Sequence, residues 1–143
     1  MSDFDLLSYV QPPDGWFAVV GIHSDKSARQ LLVATREEVD KVAAKFIAQQ
    51  RNVFFGVAKF ATDSDRTKEN VQSLKALWLD IDCGEDKAAI NPKTGRPNGY
   101  IDQATGLSAL RDFCKLVGLP KPTLVNSGRG IHVYWVLDKV VTQ

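Results

Sequence analysis

The chain has 143 residues, 44 % of them hydrophobic and 24 % charged, with 18 Lys and Arg against 17 Asp and Glu. That is the length of one domain able to bury a core, and its composition excludes disordered and low-complexity classes. A net charge of +1 leaves any nucleic-acid binding to a local basic patch. Met1–Val10 has no basic n-region, and no stretch reaches the ~18 apolar residues of a membrane span. Cys83 and Cys114 are isolated and far apart, which argues against a zinc site or disulfide framework and for a reducing cytoplasm.

In chain order, Trp16–Ile22 (WFAVVGI) is an apolar run after the breaker PPDG and reads as a buried strand. Thr35–Glu38 (TREE) has the form of a capping box. Val39, Val42, Phe46 and Ile47 follow at helical spacing, so a helix is expected over Thr35–Gln50. Val53–Phe60 is rich in β-formers and reads as one strand. A polar loop with one or two helical turns leads to a strand over Ala76–Asp82. Gly84–Gly99 is rich in Gly, Pro and Lys and reads as a long exposed loop. Asp102 can cap a helix with core positions Leu107, Leu110, Phe113, Cys114 and Val117, ended by Gly118 and Pro120. Thr123–Asn126, the turn SGRG and Ile131–Leu137 form a β-hairpin. The whole is expected to be one α/β domain over residues 1–143, an α+β two-layer fold with a mixed sheet and flanking helices, without repeats or linkers. The chain runs only six residues past Leu137.

Two constellations carry chemistry. In the strand KALWLDID, alternation puts Leu77, Leu79 and Ile81 on a core face and Trp78, Asp80 and Asp82 on the other. The two carboxylates then lie roughly 7 Å apart along the backbone. They suit hard divalent ions such as Mg²⁺ or Mn²⁺, and equally a solvated strand end. In NSGRGIHVYW, the glycines of Ser127–Gly130 would let backbone N–H groups face an anion, with Arg129 at the tip. His132 opens the next strand on the face of Tyr134, opposite the core residues Ile131, Val133, Trp135 and Leu137. It could donate to a phosphate oxygen, or be a half-buried hairpin histidine.

LWLDIDCG, then a helix, then PTLVNSGRGIHVYW resembles the archaeo-eukaryotic primase superfamily, particularly its phage and plasmid primase–polymerases. The upstream NVFFGVAKF is similar too, so the resemblance runs from about Gly15 to the end. It implies an RRM-like catalytic core joined to an N-terminal α/β module. It also implies template-directed nucleotidyl transfer, making primers from nucleoside triphosphates on a single-stranded DNA template in DNA replication. Asp80 and Asp82 would hold the catalytic Mg²⁺ or Mn²⁺. His132, with Ser127, Gly128, Arg129 and Gly130 around it, would contact the nucleotide's phosphates. Lys59 would line the nucleotide or template path. A replicative helicase would be a partner or a fused domain. The family's third acidic motif lies on a later strand and has no match here, since Asp138 follows His132 too closely. The expectation is therefore an N-terminal catalytic part, truncated before that motif, or a shortened relative.

Other residues carry weaker expectations. Tyr100, Lys87, Lys93 and Arg96 could touch a single strand or merely solvate the loop. Arg36, Lys41 and Lys45 read as a solvated helix face, His23 as a surface histidine and Trp16 as core. Two other functions fit the motifs: a non-catalytic RRM-like nucleotide or single-strand binding module, and a DxD nucleotide-sugar transferase.

Overall fold

The computed structural model describes residues 5–143, an α+β architecture of antiparallel ladders with flanking helices. Its helices are α1 (Leu6–Val10), α2 (Arg36–Ala48), α3 (Glu85–Ala88) and α4 (Gln103–Val117). Its strands are β1 (Phe17–Ile22), β2 (Ala28–Val33), β3 (Asn52–Phe55), β4 (Lys59–Phe60), β5 (Val71–Ile81), β6 (Ile90–Asn91), β7 (Arg96–Pro97), β8 (Thr123–Asn126) and β9 (Ile131–Thr142). The strand orders are β2-β1-β3, β4-β5-β9-β8 and β6-β7. The chain divides into two compact units, one up to Ala76 together with Leu137–Gln143, the other Leu77–Val136. None of the helices among the described residues is long and apolar enough to cross a membrane.

In the first unit α2 covers the β1 sheet. Its capping box forms as expected: Thr35 Oγ1 accepts from the Glu38 N–H, and Glu38 accepts from the Thr35 N–H. Phe46 and Val39 are buried against Val19 and Leu7. The Phe46 ring occupies the space that a Cβ at Gly21 would need, so β1 and α2 meet more closely than two side chains would allow. Ile47, expected in the core, faces solvent.

Three features of this unit depart from the sequence expectation. The expected strand over Val53–Phe60 breaks at Gly56 into β3 and β4, which join different sheets. Gly56 N–H donates to the Ala18 carbonyl, and a Cβ at this position would press on the Phe60 ring. β2 pairs with β1 along its whole length but is largely exposed, an edge strand without alternation. β5 begins at Val71, where β4 gives it a partner, rather than at Ala76.

In the second unit α4 lies over the β8–β9 hairpin. Asp102 accepts from the Thr105 N–H at one end of α4, and Gly118 takes a left-handed φ of 72° at the other. Leu110, Ile131, Val133 and Trp135 are buried together, with Ile81, Leu107 and Cys114 packed on them. Trp135 Nε1 donates to the Pro120 carbonyl at 2.9 Å. Leu77 and Leu79 are exposed, contrary to expectation. Alternation assigns them a common face with Ile81, but only Ile81 meets the α4 layer, through the gap left by Gly106. Phe113 and Val117, also expected in the core, are exposed.

Candidate functional site

The end of β5, the Ser127–Gly130 turn and the start of β9 come together in the second unit. Two glycines make this possible. A Cβ at Gly130 would overlap the Ile81 carbonyl, and one at Gly99 would overlap the Asp82 carbonyl. The backbone between Asp80 and Asp82 is thus flanked closely by chain on both sides. The Asp82 carbonyl also accepts from the Tyr100 N–H at 3.0 Å, and the Gly84 N–H donates to the Tyr100 carbonyl at 2.8 Å.

Both aspartates present their carboxylates to solvent, with 66 % of the Asp80 and 50 % of the Asp82 side chain exposed. His132 is 41 % exposed and its Nε2 lies 3.8 Å from Asp80 Oδ1. Its ring stands edge-on to that of Tyr134, centroids 6.5 Å apart. Tyr134 is buried, and burial together with the Asp80 charge pushes its hydroxyl pKa up. The buried Cys83 thiol is likewise pushed up, first by burial and then by the carboxylates of Asp102, Asp82 and Asp80. It is held in the unreactive thiol form.

Sequence reasoning missed two partners. Lys87 Nζ donates to Asp82 Oδ2 at 3.2 Å, so this lysine, read as a loop cation, neutralises half of the aspartate pair. The signal was the turn at Gly84, which brings α3 back towards the strand end. Gln103, at the start of α4, aims its Nε2 at three oxygens: Asn126 Oδ1 at 3.0 Å and the carbonyls of Gly128 and Gly130, both at 3.2 Å. One amide group thereby holds the turn onto the helix.

The turn is more self-contained than its composition suggests. The Ser127 N–H donates to the Gly130 carbonyl, the Gly128 N–H to Asn126 Oδ1 and the Gly130 N–H to Ser127 Oγ. Among the described residues this leaves the Arg129 N–H and guanidinium facing outward. Only Gly128 needs its glycine for a positive φ, 96°; Gly130 needs it for the approach to Ile81. Arg129 borders a cavity of about 480 Å³ together with Cys83, Asp86, Asp102 and Asn126.

Among the described residues no three His, Cys, Asp or Glu side chains converge to hold a metal ion by themselves. Two exposed carboxylates nevertheless fit Mg²⁺ or Mn²⁺, since Mg²⁺ is commonly held by one or two carboxylates with waters and substrate phosphates completing the shell. Lys59 belongs to the first unit and is buried there rather than lying in solvent at a strand end.

No family model and no curated protein matches the chain. Among solved structures, the chain is similar to the AEP domain of the cyanophage S-2L primase–polymerase (PrimPol), with a TM-score of 0.56 and 20 % identity. The match covers 90 % of this chain and 56 % of that one. The fold is therefore similar to that of this AEP domain, and the chain spans little more than half of the chain it matches.

Proposed function

We propose that the chain is part of a primase–polymerase catalytic domain, which transfers nucleotides from nucleoside triphosphates to a primer on a single-stranded DNA template. The observation that carries this reading is the meeting of Asp80, Asp82, His132 and the Ser127–Gly130 turn at one end of the second unit. In this fold that is a place where acids and phosphate-binding groups have a use.

Asp80 and Asp82 would hold Mg²⁺ or Mn²⁺, and Lys87 would give up Asp82 as they do so. Bound there, a divalent ion lowers the pKa of an attacking hydroxyl and offsets charge on a leaving pyrophosphate. His132 Nε2, beside Asp80, is exposed enough to donate to a phosphate oxygen. Arg129 offers a bidentate fork to a second phosphate. Gln103 keeps the turn in place. A replicative helicase, separate or fused, is the protein partner this reading implies.

The test is manganese binding, followed by electron paramagnetic resonance. The free-ion signal is expected to fall when the chain is added and to recover with Asp80→Asn/Asp82→Asn. A signal indifferent to both aspartates contradicts the reading.

One observation favours a second reading, a binding module without chemistry. Trp78 shares its strand face with Asp80 and is 49 % exposed, as a base-stacking aromatic on an RRM-like sheet would be. Single-strand binding that survives chelation and the loss of both aspartates, and falls with Trp78→Ala, would favour this reading over the first.

A further inference from the structure

A groove of about 400 Å³ lies in the second unit between α4 and β8. Leu107 and Leu110 of α4, Leu119 just after it and Leu124 of β8 give it an apolar lining. Strand register explains the last of these. Leu124 sits opposite the buried Val133, so it shares the face that α4 covers. But β8 is the outermost strand of its sheet, and Leu124 is left 42 % exposed.

Three cations stand around this groove: Arg111 and Lys115 of α4, and Lys121 in the segment that leads to β8. All three are exposed. Among the described residues none of them makes a side-chain hydrogen bond or an ion pair. Arg111 and Lys115 are one helical turn apart, a like-charge spacing that weakens a helix left to itself. In a chain with a net charge of +1, this is a local excess of positive charge beside apolar surface. A single carboxylate cannot satisfy three cations spread over both sides of a groove, so the arrangement calls for several negative charges carried on one chain. A nucleic-acid strand is poorly suited, since among the described residues no aromatic ring lines the groove for a base to stack on. The backbone of β8 offers a further contact. It pairs with β9 alone, so its outer N–H and C=O groups are open to an added strand.

We propose that this groove docks an extended acidic segment of a partner protein that carries a bulky apolar residue. The segment lies along the free edge of β8. Its apolar side chain enters the groove against Leu110, Leu119 and Leu124, and its carboxylates pair with Arg111, Lys115 and Lys121. The site shares no residue with the aspartates, the histidine or the 127–130 turn, and it does not rest on the function proposed for them.

The experiment uses the whole chain and a fluorescein-labelled, end-capped peptide, EEDLFDEE, followed by anisotropy at low salt. The peptide is expected to bind. The control EEDSSDEE, and the variant Leu124→Ser with the original peptide, should each bind about tenfold more weakly, the scale of an apolar side chain kept in water. Lys115→Gln and Lys121→Gln should each weaken binding about three- to fivefold, as the loss of an exposed ion pair does. Both lysines are exposed, so these two variants keep the fold and the test readable if Leu124→Ser disturbs it. Cys114 lines the groove and is half-buried, whereas Cys83 is buried. The peptide should therefore slow alkylation of Cys114 by iodoacetamide, read by mass spectrometry. The proposal is overturned if the peptide fails to bind at millimolar concentration, if EEDSSDEE binds as well, if binding ignores both lysines, or if Cys114 is left unprotected. Displacement by an oligothymidylate of equal charge, as effective as that by unlabelled peptide, would assign the groove to nucleic acid and overturn it too.

Discussion

Gly130 lies against the carbonyl of Ile81 so closely that a Cβ would overlap it. The turn that carries Arg129 is thereby pressed onto the stretch of backbone between the two aspartates. Gly130→Ala must push the turn away from β5. We expect this to cost about 1–3 kcal/mol, as overpacking does, and to weaken manganese-dependent nucleotide binding more than Gly95→Ala, whose Cβ would meet nothing within 4 Å and whose cost is that of its left-handed φ of 67° alone. Thermal melts and calorimetry on both variants check it.

Gln103 is a positioning residue for the same turn. Gln103→Glu keeps its size but replaces the donor with a carboxylate facing three oxygens. The loss should be about 1–3 kcal/mol, with amide exchange accelerated at Ser127–Gly130 ahead of the rest of the chain. Gln103→Asn, which retains a donor, should restore part of it. Uniform exchange in the glutamate variant would contradict this role.

Lys87 competes with cations for Asp82. An exposed ion pair is worth about 0–1 kcal/mol, so Lys87→Met should tighten manganese binding by no more than about fivefold. Weaker binding in the variant would mean that Lys87 serves the bound state instead.

Burial pushes the Lys59 pKa down to about 8 from 10.5, with Asp14 opposing the shift. Between those values the unfolded chain holds more protons than the folded one, so stability rises with pH across that window. The whole rise is about 3 kcal/mol. Lys59→Met removes it, so the variant should be the more stable protein at pH 7, with the gap closing towards pH 10. Subtracting one protein from the other cancels Cys83 and Tyr134, whose raised pKa values act in the opposite direction at alkaline pH. Urea unfolding at several pH values reads the difference.

Local chemistry made much of this legible in the sequence. The capping box at Thr35, the cap at Asp102, the αL glycine at 118 and the 126–131 hairpin each depend on residues within a few positions, and all form. β9 likewise buries Ile131, Val133 and Trp135 as expected, while Tyr134 on the opposite face is buried too and Leu137 is only half-buried. What failed depends on distant chain. Alternation put Leu77 and Leu79 on a core face, but a face is buried only where another layer covers it. β2 owes its existence to pairing with β1, and its own sequence gives no sign of a strand. Gly56 reads as a small residue in a β-rich run, whereas in the fold it is where the chain changes sheets. Lys59 was legible as a basic residue and not as a buried one, because burial of a lysine leaves no local mark. Within the site, residue types pointed to Asp80, Asp82 and His132, while Lys87 and Gln103 emerge only from the turns that return the chain to them.

The central claim, that the paired aspartates serve a metal-bound nucleotide, is tested most directly by calorimetric titration of a nucleoside triphosphate with manganese. The chain is compared with its Asp80→Asn/Asp82→Asn variant, and each with an EDTA blank. We expect an increment of binding that appears only with manganese and is lost in the variant. An increment of the same size in both proteins, or none in either, would contradict the account.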